Sequence, residues 1–282
     1  MSQGRWPDGY QCAISITMDN MGEAAELYRG TWPSDRTVGL HPAVTQYLPE
    51  MMLILDEYAV SATYFVEGWS TGHYPGVLGS LRRTGHEVAF HGWQHEPWSQ
   101  LSPDDERELF DRSLNGFAKL GLTVRGFRPP GGVLTDLSPQ LLSENGFTYC
   151  SPAAADAAIR DGIVYLPFSW TRIDAYYYSD AFAGLRSVKG DSENPIAPAV
   201  FQDRLDSLID ERLASGGYTA LLFHPFLTST EDRLDVMRHT VRRLNNDSRI
   251  WCAPCREIAQ WVLEHPEEFP PDPAFDTTTW SR

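Results

Sequence analysis

Residues 62–91, ATYFVEGWSTGHYPGVLGSLRRTGHEVAFH, contain the pattern that decides the fold of this 282-residue chain. Two short runs rich in β-branched and aromatic residues, ATYFV (62–66) and EVAFH (87–91), flank a segment, 75–84, with the apolar spacing of a helix. A strand, a helix and a second strand in this order form the unit from which parallel sheets are built. The stretch therefore predicts an α/β protein with a parallel sheet covered by helices.

The same alternation continues along most of the chain. Further strands are predicted at AISITM (13–18), VRGFRPP (124–130), TYCSP (148–152), IVYLPFSW (163–170), ALLFHPF (220–226) and RIWCAP (249–254). Further helices are predicted at 42–58, 103–120, 138–145, 198–214, 230–244 and 255–264. Roughly seven or eight strand and helix units favour a closed (β/α) barrel over an open sheet.

Two connections, residues 21–41 and 171–197, exceed ordinary loop lengths. Long loops in a compact domain usually carry function, and in barrels the loops after the strands build the active site. No interior linker or repeat interrupts the chain, so we predict one catalytic domain over residues 1–282, with its core at about 10–265. The proline-rich end, 266–282, is expected to lie over the surface without regular structure.

Charge and composition narrow the classes of partner. The net charge is −15 at pH 7, and such a surface repels phosphate backbones and anionic lipids, so neither nucleic acid nor a membrane is expected. The first residues lack a basic region followed by an apolar one, and no apolar run approaches the roughly 20 residues of a membrane span. We therefore expect a cytoplasmic, soluble protein with a small-molecule substrate, and its oligomeric state, monomer or homo-oligomer, stays open.

Polar side chains stand at the carboxyl ends of four predicted strands. They are Asp19 with Asn20, HGWQH (91–95), RPPGG (128–132) and His224. Each one alone has an ordinary structural explanation: a polar turn, a capping histidine or a loop. In a barrel, the strand ends on one face converge on one pocket, so their joint occurrence predicts an active site.

The motif HGWQH places His91 and His95 four residues apart. On a helical turn this spacing puts both imidazoles on one face, where they can ligate one metal ion. Two capping or solvated histidines are the alternative. A catalytic zinc site takes three protein ligands and keeps one position for water, so a third ligand is needed, and the end of the first strand is its natural source.

Taken in order, the motifs resemble those of a known family. Asp-Asn, H-x-x-x-H, R-P-P-G-G, Trp with Asp, and L-x-x-H-P look like the motifs of the polysaccharide deacetylases, carbohydrate esterase family 4. The resemblance spans about residues 10–265, and it points to an intracellular, actinobacterial-like branch or to the allantoinase and cyclic-imidase branch. It implies a deformed (β/α) barrel of about seven parallel strands and an enzyme that hydrolyses amides, usually N-acetyl groups on amino sugars.

The resemblance also implies catalytic roles for individual residues. Asp19 matches the general base, Arg128 the arginine that pairs with and orients this base, and His224 the general acid. Trp170 and Asp174 resemble the fourth motif, in which an aromatic wall adjoins an acid that tunes the catalytic histidine. The stretch SWTRIDAYYY does not reproduce the usual spacing of that motif.

By the same resemblance, His91 and His95 are two ligands of one divalent metal ion, expected to be zinc. The family usually has a second Asp at position 20, whereas Asn20 offers only a neutral carbonyl oxygen, which weakens the binding of a divalent cation. Glu23 is close enough in sequence to supply a carboxylate if the loop bends back.

Aromatic residues near the predicted strand ends are assigned to substrate binding. These are Trp93, Trp170 and Tyr176, where a ring can stack on a sugar or a planar substrate, together with Gly131 of RPPGG. Packing in the core is the alternative for at least half of the aromatic side chains in this region.

The resemblance leads to a preferred function and two alternatives. The preferred function is metal-dependent hydrolysis of a carbon–nitrogen bond in a small intracellular amide, an N-deacetylation. The first alternative is a metal-independent, allantoinase-like hydrolase of cyclic ureides or imides, in which Asn20, His91 and His95 bind the substrate carbonyl directly. The second is a catalytically inactive binding protein.

Overall fold

The computed structural model describes residues 5–280, and within them the chain forms ten strands and ten α-helices. The strands are β1 (Cys12–Asp19), β2 (Thr63–Val66), β3 (Glu87–Phe90), β4 (Gly126–Phe127), β5 (Tyr149–Cys150), β6 (Ala158–Arg160), β7 (Ile163–Tyr165), β8 (Phe168–Ile173), β9 (Tyr218–Phe223) and β10 (Ile250–Cys252). The helices are α1 (Ala24–Tyr28), α2 (Leu48–Glu57), α3 (Pro75–Arg83), α4 (Pro103–Lys119), α5 (Ser138–Glu144), α6 (Asp174–Tyr178), α7 (Ala183–Val188), α8 (Pro198–Ser215), α9 (Glu231–Asn246) and α10 (Cys255–Glu264).

One sheet contains all of these strands, in the order β6-β7-β5-β4-β3-β2-β1-β9-β8, with β10 beside β1. Neighbouring strands are parallel except β6 and β7. An isolated parallel bridge joins Ala153, just after β5, to Phe168 of β8, so the sheet curls until its two sides meet there. The predicted α/β fold, a deformed (β/α) barrel, is confirmed as a single curled, mostly parallel sheet.

The predicted helices are all present, with ends within two residues of the predicted limits apart from the start of the first. That segment, 42–58, begins with a π-helical turn, Ala43–Tyr47, before α2. Pro49 stands where the π-helical turn passes into α2, and its missing N–H removes one hydrogen bond from the helical ladder at that change. Helix α4 begins with the Ser102 side chain accepting the backbone N–H of Asp105, an N-cap that the sequence displays directly.

The predicted strand 163–170 is wrong, because the structure has two strands there, β7 and β8. Leu166 and Pro167 separate them, since proline has no N–H to donate to a strand ladder. Strand β6, which was not predicted, forms an antiparallel hairpin with β7. Its turn is Asp161-Gly162, with both φ angles positive (53° and 78°), as a two-residue hairpin turn requires.

The two long connections are not plain loops. Residues 21–41 contain α1, and 171–197 contain the end of β8, α6 and α7. Buried Arg186 holds α6 and α7 together by donating to the backbone carbonyls of Tyr176 and Ser179 at 2.7 and 2.8 Å. Helices this short depend on tertiary contacts, which explains why their sequences carry little helical signal.

The sheet interior is the core of the protein. All residues of β1 and β9 are buried, as in parallel strands covered on both faces. The predicted tail contains the 3₁₀ turn Pro266–Glu268 and a bridge from Phe275 to Ala154. Its last residues, 281–282, lie outside the described part of the chain, as do residues 1–4. Among the described residues, no helix has both the length and the apolar character needed to span a bilayer.

Candidate active site

Asp19, the last residue of β1, is paired with Arg128 in the protein interior. Arg128 Nη1 donates to Asp19 Oδ1 at 2.7 Å, and the two side chains are 1% (Arg128) and 4% (Asp19) exposed. The guanidinium also donates to the hydroxyls of Thr17 and Ser151 and lies 4.0 Å from the centre of the Phe65 ring. Arginine keeps its charge in proteins, so the carboxylate has a permanent and rigidly held cationic partner.

His224, which follows β9, is held by Asp174 at the start of α6. His224 Nδ1 and Asp174 Oδ1 are 2.6 Å apart, and Asp174 Oδ2 accepts the backbone N–H of His224 at 2.6 Å and the Thr228 hydroxyl at 3.0 Å. Burial lowers the pKa of His224, but Asp174 and Asp19 outweigh it, and the net shift is upward. The Asp174 contact orients the ring so that Nε2 is the nitrogen free for a substrate.

Asp19 and His224 stand at the same end of two adjacent strands. In the β1–β9 ladder Met18 lies opposite Phe223, and each of the two site residues comes next in its chain. Neighbouring strands lie about 4.8 Å apart, so both side chains border one small space. A carboxylate that can accept a proton and an imidazole that can donate one therefore flank the same position.

His91, which follows β3, has a defined proton arrangement. Its Nδ1 is 2.8 Å from the carbonyl oxygen of Arg128, which can only accept, so Nδ1 carries the proton. The lone pair is then on Nε2, which lies 3.7 Å from Asp19 Oδ2. Burial lowers the pKa of His91 to about 3, with the charges of Arg128 and His224 acting in the same direction.

The His95 ring lies beside the His91 ring, with centroids 5.0 Å apart and planes at 73°. Arg29 Nη2 is 3.3 Å from His95 Nδ1, and because arginine only donates, Nδ1 accepts and the proton is on Nε2. Burial, His91 and Arg29 all lower the pKa of His95. The two neutral rings therefore differ: His91 has a lone pair on Nε2, and His95 has an N–H there.

The loop HGWQH is not the helical turn assumed from its spacing. Gly92 and His95 both have positive φ, 74° and 63°, and the chain forms bends there. The carboxylate of buried Glu96 accepts the backbone N–H groups of Trp93 and Gln94 at 3.0 and 2.8 Å and holds this conformation. The two imidazoles meet because of this loop geometry, and the sequence analysis did not identify Glu96.

Asn20 is buried with φ 60°, and its side chain is bound to Glu67. Asn20 Nδ2 donates to Glu67 Oε1 at 3.1 Å, and the Met21 N–H donates to Oε2 at 2.8 Å. Burial raises the pKa of Glu67 to about 8. Glu67 fixes the Asn20 amide so that its oxygen is the free end, a role that sequence analysis missed although Glu67 directly follows β2.

Glu23 does not bend back toward the histidines. Its fully buried carboxylate accepts the Tyr74 hydroxyl and the Gly39 N–H. It therefore ties the segment after β1 to the segment before α3, and both of its oxygens already have donors.

The donor set does not fit a tightly held zinc ion. Asn20 supplies a neutral oxygen, and the Arg29 guanidinium occupies His95 Nδ1 while leaving the proton on Nε2. Among residues 5–280, no group of three or more His, Cys, Asp or Glu side chains is placed to hold a metal ion. Catalytic zinc sites need three protein ligands with free lone pairs, and in this arrangement only His91 presents one on a ring nitrogen.

The residues assigned to substrate binding lie in different places. Tyr176 is fully buried, and its hydroxyl donates to Asp191 at 2.6 Å, so its ring belongs to the core, contrary to the prediction of a pocket wall. Trp93 is partly exposed beneath the Arg112 guanidinium, 4.0 Å from its ring centre, and lines a groove of about 380 Å³.

Trp170 and the glycines of RPPGG form a close contact. The Trp170 ring packs edge-on against Phe168, with centroids 4.8 Å apart. Gly131 has φ 79°, and a Cβ atom at Gly132 would lie 2.8 Å from the Trp170 ring. Glycine at position 132 thus allows the loop after β4, which begins with Arg128, to approach this aromatic side chain.

Comparison with known proteins agrees with this fold. Residues 35–150 match the family model described as Polysaccharide deacetylase. The solved structure of a polysaccharide deacetylase homologue from Mycobacterium smegmatis is 28% identical, with a TM-score of 0.81, and the match covers 97% of this chain and 96% of that one. A structure of Puue allantoinase has a TM-score of 0.77 at 15% identity, covering 94% and 95% of the two chains, which is a likeness of fold.

A curated relative, the peptidoglycan-N-acetylglucosamine deacetylase of Bacillus cereus, is 28% identical over 102 residues. That match covers 36% of this chain and 47% of the relative, so the chain spans less than half the length of this relative. Residues 35–150 thus carry the match to the polysaccharide deacetylase family, carbohydrate esterase family 4, whose deacetylases are hydrolases that are generally metal-dependent.

Proposed function

We propose that this protein hydrolyses a carbon–nitrogen bond of a small amide without requiring a tightly bound metal ion. The observation that carries the proposal is the pairing of Asp19 with Arg128 and of His224 with Asp174 at the ends of adjacent strands. One site thus contains a base and an acid, each with its own buried counter-charge.

These groups support a complete proton transfer. Asp19 removes a proton from water, and the water oxygen bonds to the amide carbon. His224 donates its Nε2 proton to the nitrogen as the carbon–nitrogen bond breaks, and Asp174 stabilises the imidazolium beforehand. Asp19 then returns its proton through solvent to His224, which restores the starting state.

The two neutral imidazoles favour a particular substrate class. His91 offers a lone pair and the adjacent His95 an N–H. A cyclic imide or ureide carries an N–H beside a C=O, the complementary donor and acceptor pair. We therefore propose such a ring as the substrate, in preference to the polymeric sugars that the names of the relatives mention.

A second candidate function, metal-dependent N-deacetylation of a small substrate, has one specific observation in its favour. His91 donates Nδ1–H to a backbone carbonyl, and metal-ligating histidines characteristically have their other ring nitrogen bound in this way. If Arg29 moved away from His95, a second lone pair would become available.

The test is turnover of cyclic imides, cyclic ureides and N-acetylated amino sugars by purified protein, before and after treatment with a chelator. We expect ring opening of a cyclic substrate at a rate that the chelator does not change. Loss of activity on chelation with recovery on adding zinc would support the second candidate. No turnover of any substrate, with wild type and His224→Ala equally inactive, would instead support an inactive binding protein.

A further inference from the structure

A second cavity, of about 290 Å³, lies at the opposite pole of the sheet, beside the amino-terminal ends of β3 and β4. His86 precedes β3 and lines this cavity, whereas His91 follows β3 and lies in the active site. At about 3.3 Å per residue, the strand separates the two histidines by roughly 17 Å. This cavity is therefore distinct from the candidate active site.

Three arginines line the cavity, and backbone carbonyls hold their guanidinium groups. The contacts are Arg82 to the Gly121 oxygen (3.0 Å), Arg125 to the Gly146 oxygen (2.5 Å) and Arg256 to the Gly85 oxygen (2.9 Å). Carbonyl groups orient a guanidinium without neutralising it.

Carboxylates do not neutralise this cluster. Among residues 5–280, no carboxylate oxygen lies within 4.0 Å of Arg82 or Arg125, and Arg256 has only a 3.7 Å contact with the exposed side chain of Glu257. The chain has 38 acidic and 23 basic residues, so three arginines around one cavity without a close acidic partner are unexpected.

Glu87 is the one carboxylate among the residues lining the cavity in the described part of the chain, and its oxygens are already in use. Tyr149 donates to Oε1 at 2.9 Å, while the Thr63 hydroxyl and the Arg256 backbone N–H donate to Oε2 at 2.8 and 2.9 Å. Burial raises the pKa of Glu87. The cavity therefore keeps a net positive charge.

His86 adds a donor that lacks an acceptor. The residue is 3% exposed, and Nδ1 accepts the Ala62 N–H at 3.0 Å, which leaves the proton on Nε2. Nε2 is buried and has no hydrogen-bond partner in the described part of the chain. A buried donor without an acceptor is costly, so an oxygen ligand within reach of this nitrogen would be stabilised by it.

We propose that this cavity binds a small oxyanion, a phosphate or carboxylate group, through Arg82, Arg125 and Arg256, with His86 Nε2–H as a further donor. The arginines and the Nε2–H of His86 are all donors, so the site suits an anionic oxygen and opposes cations. The volume is close to the lower end of ligand pockets, about 300 Å³, which corresponds to a metabolite-sized anion. This proposal is independent of the reaction at the other pole.

The test is calorimetric titration of the full chain with inorganic phosphate and, separately, with malonate, at an ionic strength held constant with sodium chloride. We expect saturable binding of at least one anion and a higher melting temperature than chloride alone produces. The two titrations distinguish a phosphate site from a carboxylate site. If neither anion binds beyond the chloride baseline, the proposal is wrong.

Variants test the residues. The double change Arg82→Gln, Arg125→Gln should weaken binding by about tenfold or more, since each lost charge-assisted hydrogen bond contributes to affinity. Arg83→Gln, compared with the single change Arg82→Gln, is the matched control, because each removes one positive charge and Arg83 is an adjacent exposed residue outside the cavity lining. If Arg83→Gln weakens anion binding equally, the loss of general surface charge explains the effect, and the proposed site is wrong.

His86→Asn should keep an acceptor for the Ala62 N–H and remove the Nε2–H, which weakens anion binding further. Circular dichroism and the melting temperature establish whether this buried variant folds. If it does not, the exposed arginine variants still decide the proposal, because their side chains are not part of the core.

Discussion

The candidate active site has two halves, and they differ in whether the protein alone supplies every charged group with a partner. In the first half, to which we assign proton transfer, Asp19 has Arg128 at 2.7 Å and His224 has Asp174 at 2.6 Å. Every charged group there has a buried partner of opposite sign. This half therefore needs no bound ion to balance its charges.

The second half, in which the family resemblance implies a metal ion, contains Asn20, His91 and His95. None of the three is an anion, and their free groups are an amide oxygen, a lone pair and an N–H. The contrast teaches that the first half can transfer protons with its side chains as they stand. A divalent cation, by comparison, would have to rearrange the side chains of the second half before it could bind. Changes in the first half should therefore have much larger effects than changes in the second.

The largest effect is expected from His224→Ala. Loss of the general acid should reduce turnover by about two to four orders of magnitude while the fold persists. The measurement is kcat on a cyclic imide, with circular dichroism as the check on folding. His239→Ala is the matched control, because His239 is a surface histidine paired with Asp206, and it should leave the rate unchanged. Near-normal turnover by the His224 variant would remove it from the mechanism.

Asp174→Asn should have the next largest effect on turnover, and it should shift the pH dependence of turnover in a defined direction. Asp174 is a main cause of the raised pKa of His224, and in the proposed mechanism the protonated imidazole is the acid. Activity should therefore fall as pH rises through this pKa, above the ordinary histidine value of about 6.5. In the variant this alkaline limb of the pH–rate profile should move to lower pH. An unmoved limb would mean that another group limits the rate.

The double change Asn20→Asp, Glu67→Gln tests the incomplete half. It reverses the hydrogen bond at position 20, so that the amide introduced at position 67 donates to a new carboxylate, and it adds an anionic ligand beside the histidines. Zinc affinity, measured by competition with a chelator, should rise about tenfold or more. If the wild type already binds zinc as tightly as the variant, the second half holds a metal ion without rearrangement, and the contrast between the two halves is wrong.

The smallest effect is expected from Glu67→Gln, and it concerns how the stability of the fold depends on pH. Burial raises the pKa of Glu67 from 4.5 to about 8 in the folded state, so the folded protein binds a proton that the unfolded chain releases. The stabilising contribution is full below about pH 4.5 and is lost as pH rises to about 8. Urea unfolding of the variant across this range should show a free energy of unfolding that depends less on pH than that of the wild type. Equal slopes would mean that Glu67 ionises normally.

Long elements were predictable because each carries its signal locally. Helix α4 shows a serine cap, an early proline and acidic residues in its first turn, and β1 is an apolar run ending at Asp19. Short α6 and α7 were not predicted, because Arg186, which belongs to no recognised motif, holds them through buried hydrogen bonds. Local patterns do not contain such contacts.

The sequence by itself determined the α/β class, the longer helices, and the set of strand-end residues to which Asp19, Arg128 and His224 belong, since strand ends of a parallel sheet share one edge. Tertiary structure alone decided which atoms of these side chains are free. Glu67 turns the Asn20 oxygen outward, and Arg29 places the proton of His95 on Nε2. Hydrogen bonds between residues far apart in the chain select one orientation and one tautomer, and no residue type or spacing encodes that choice.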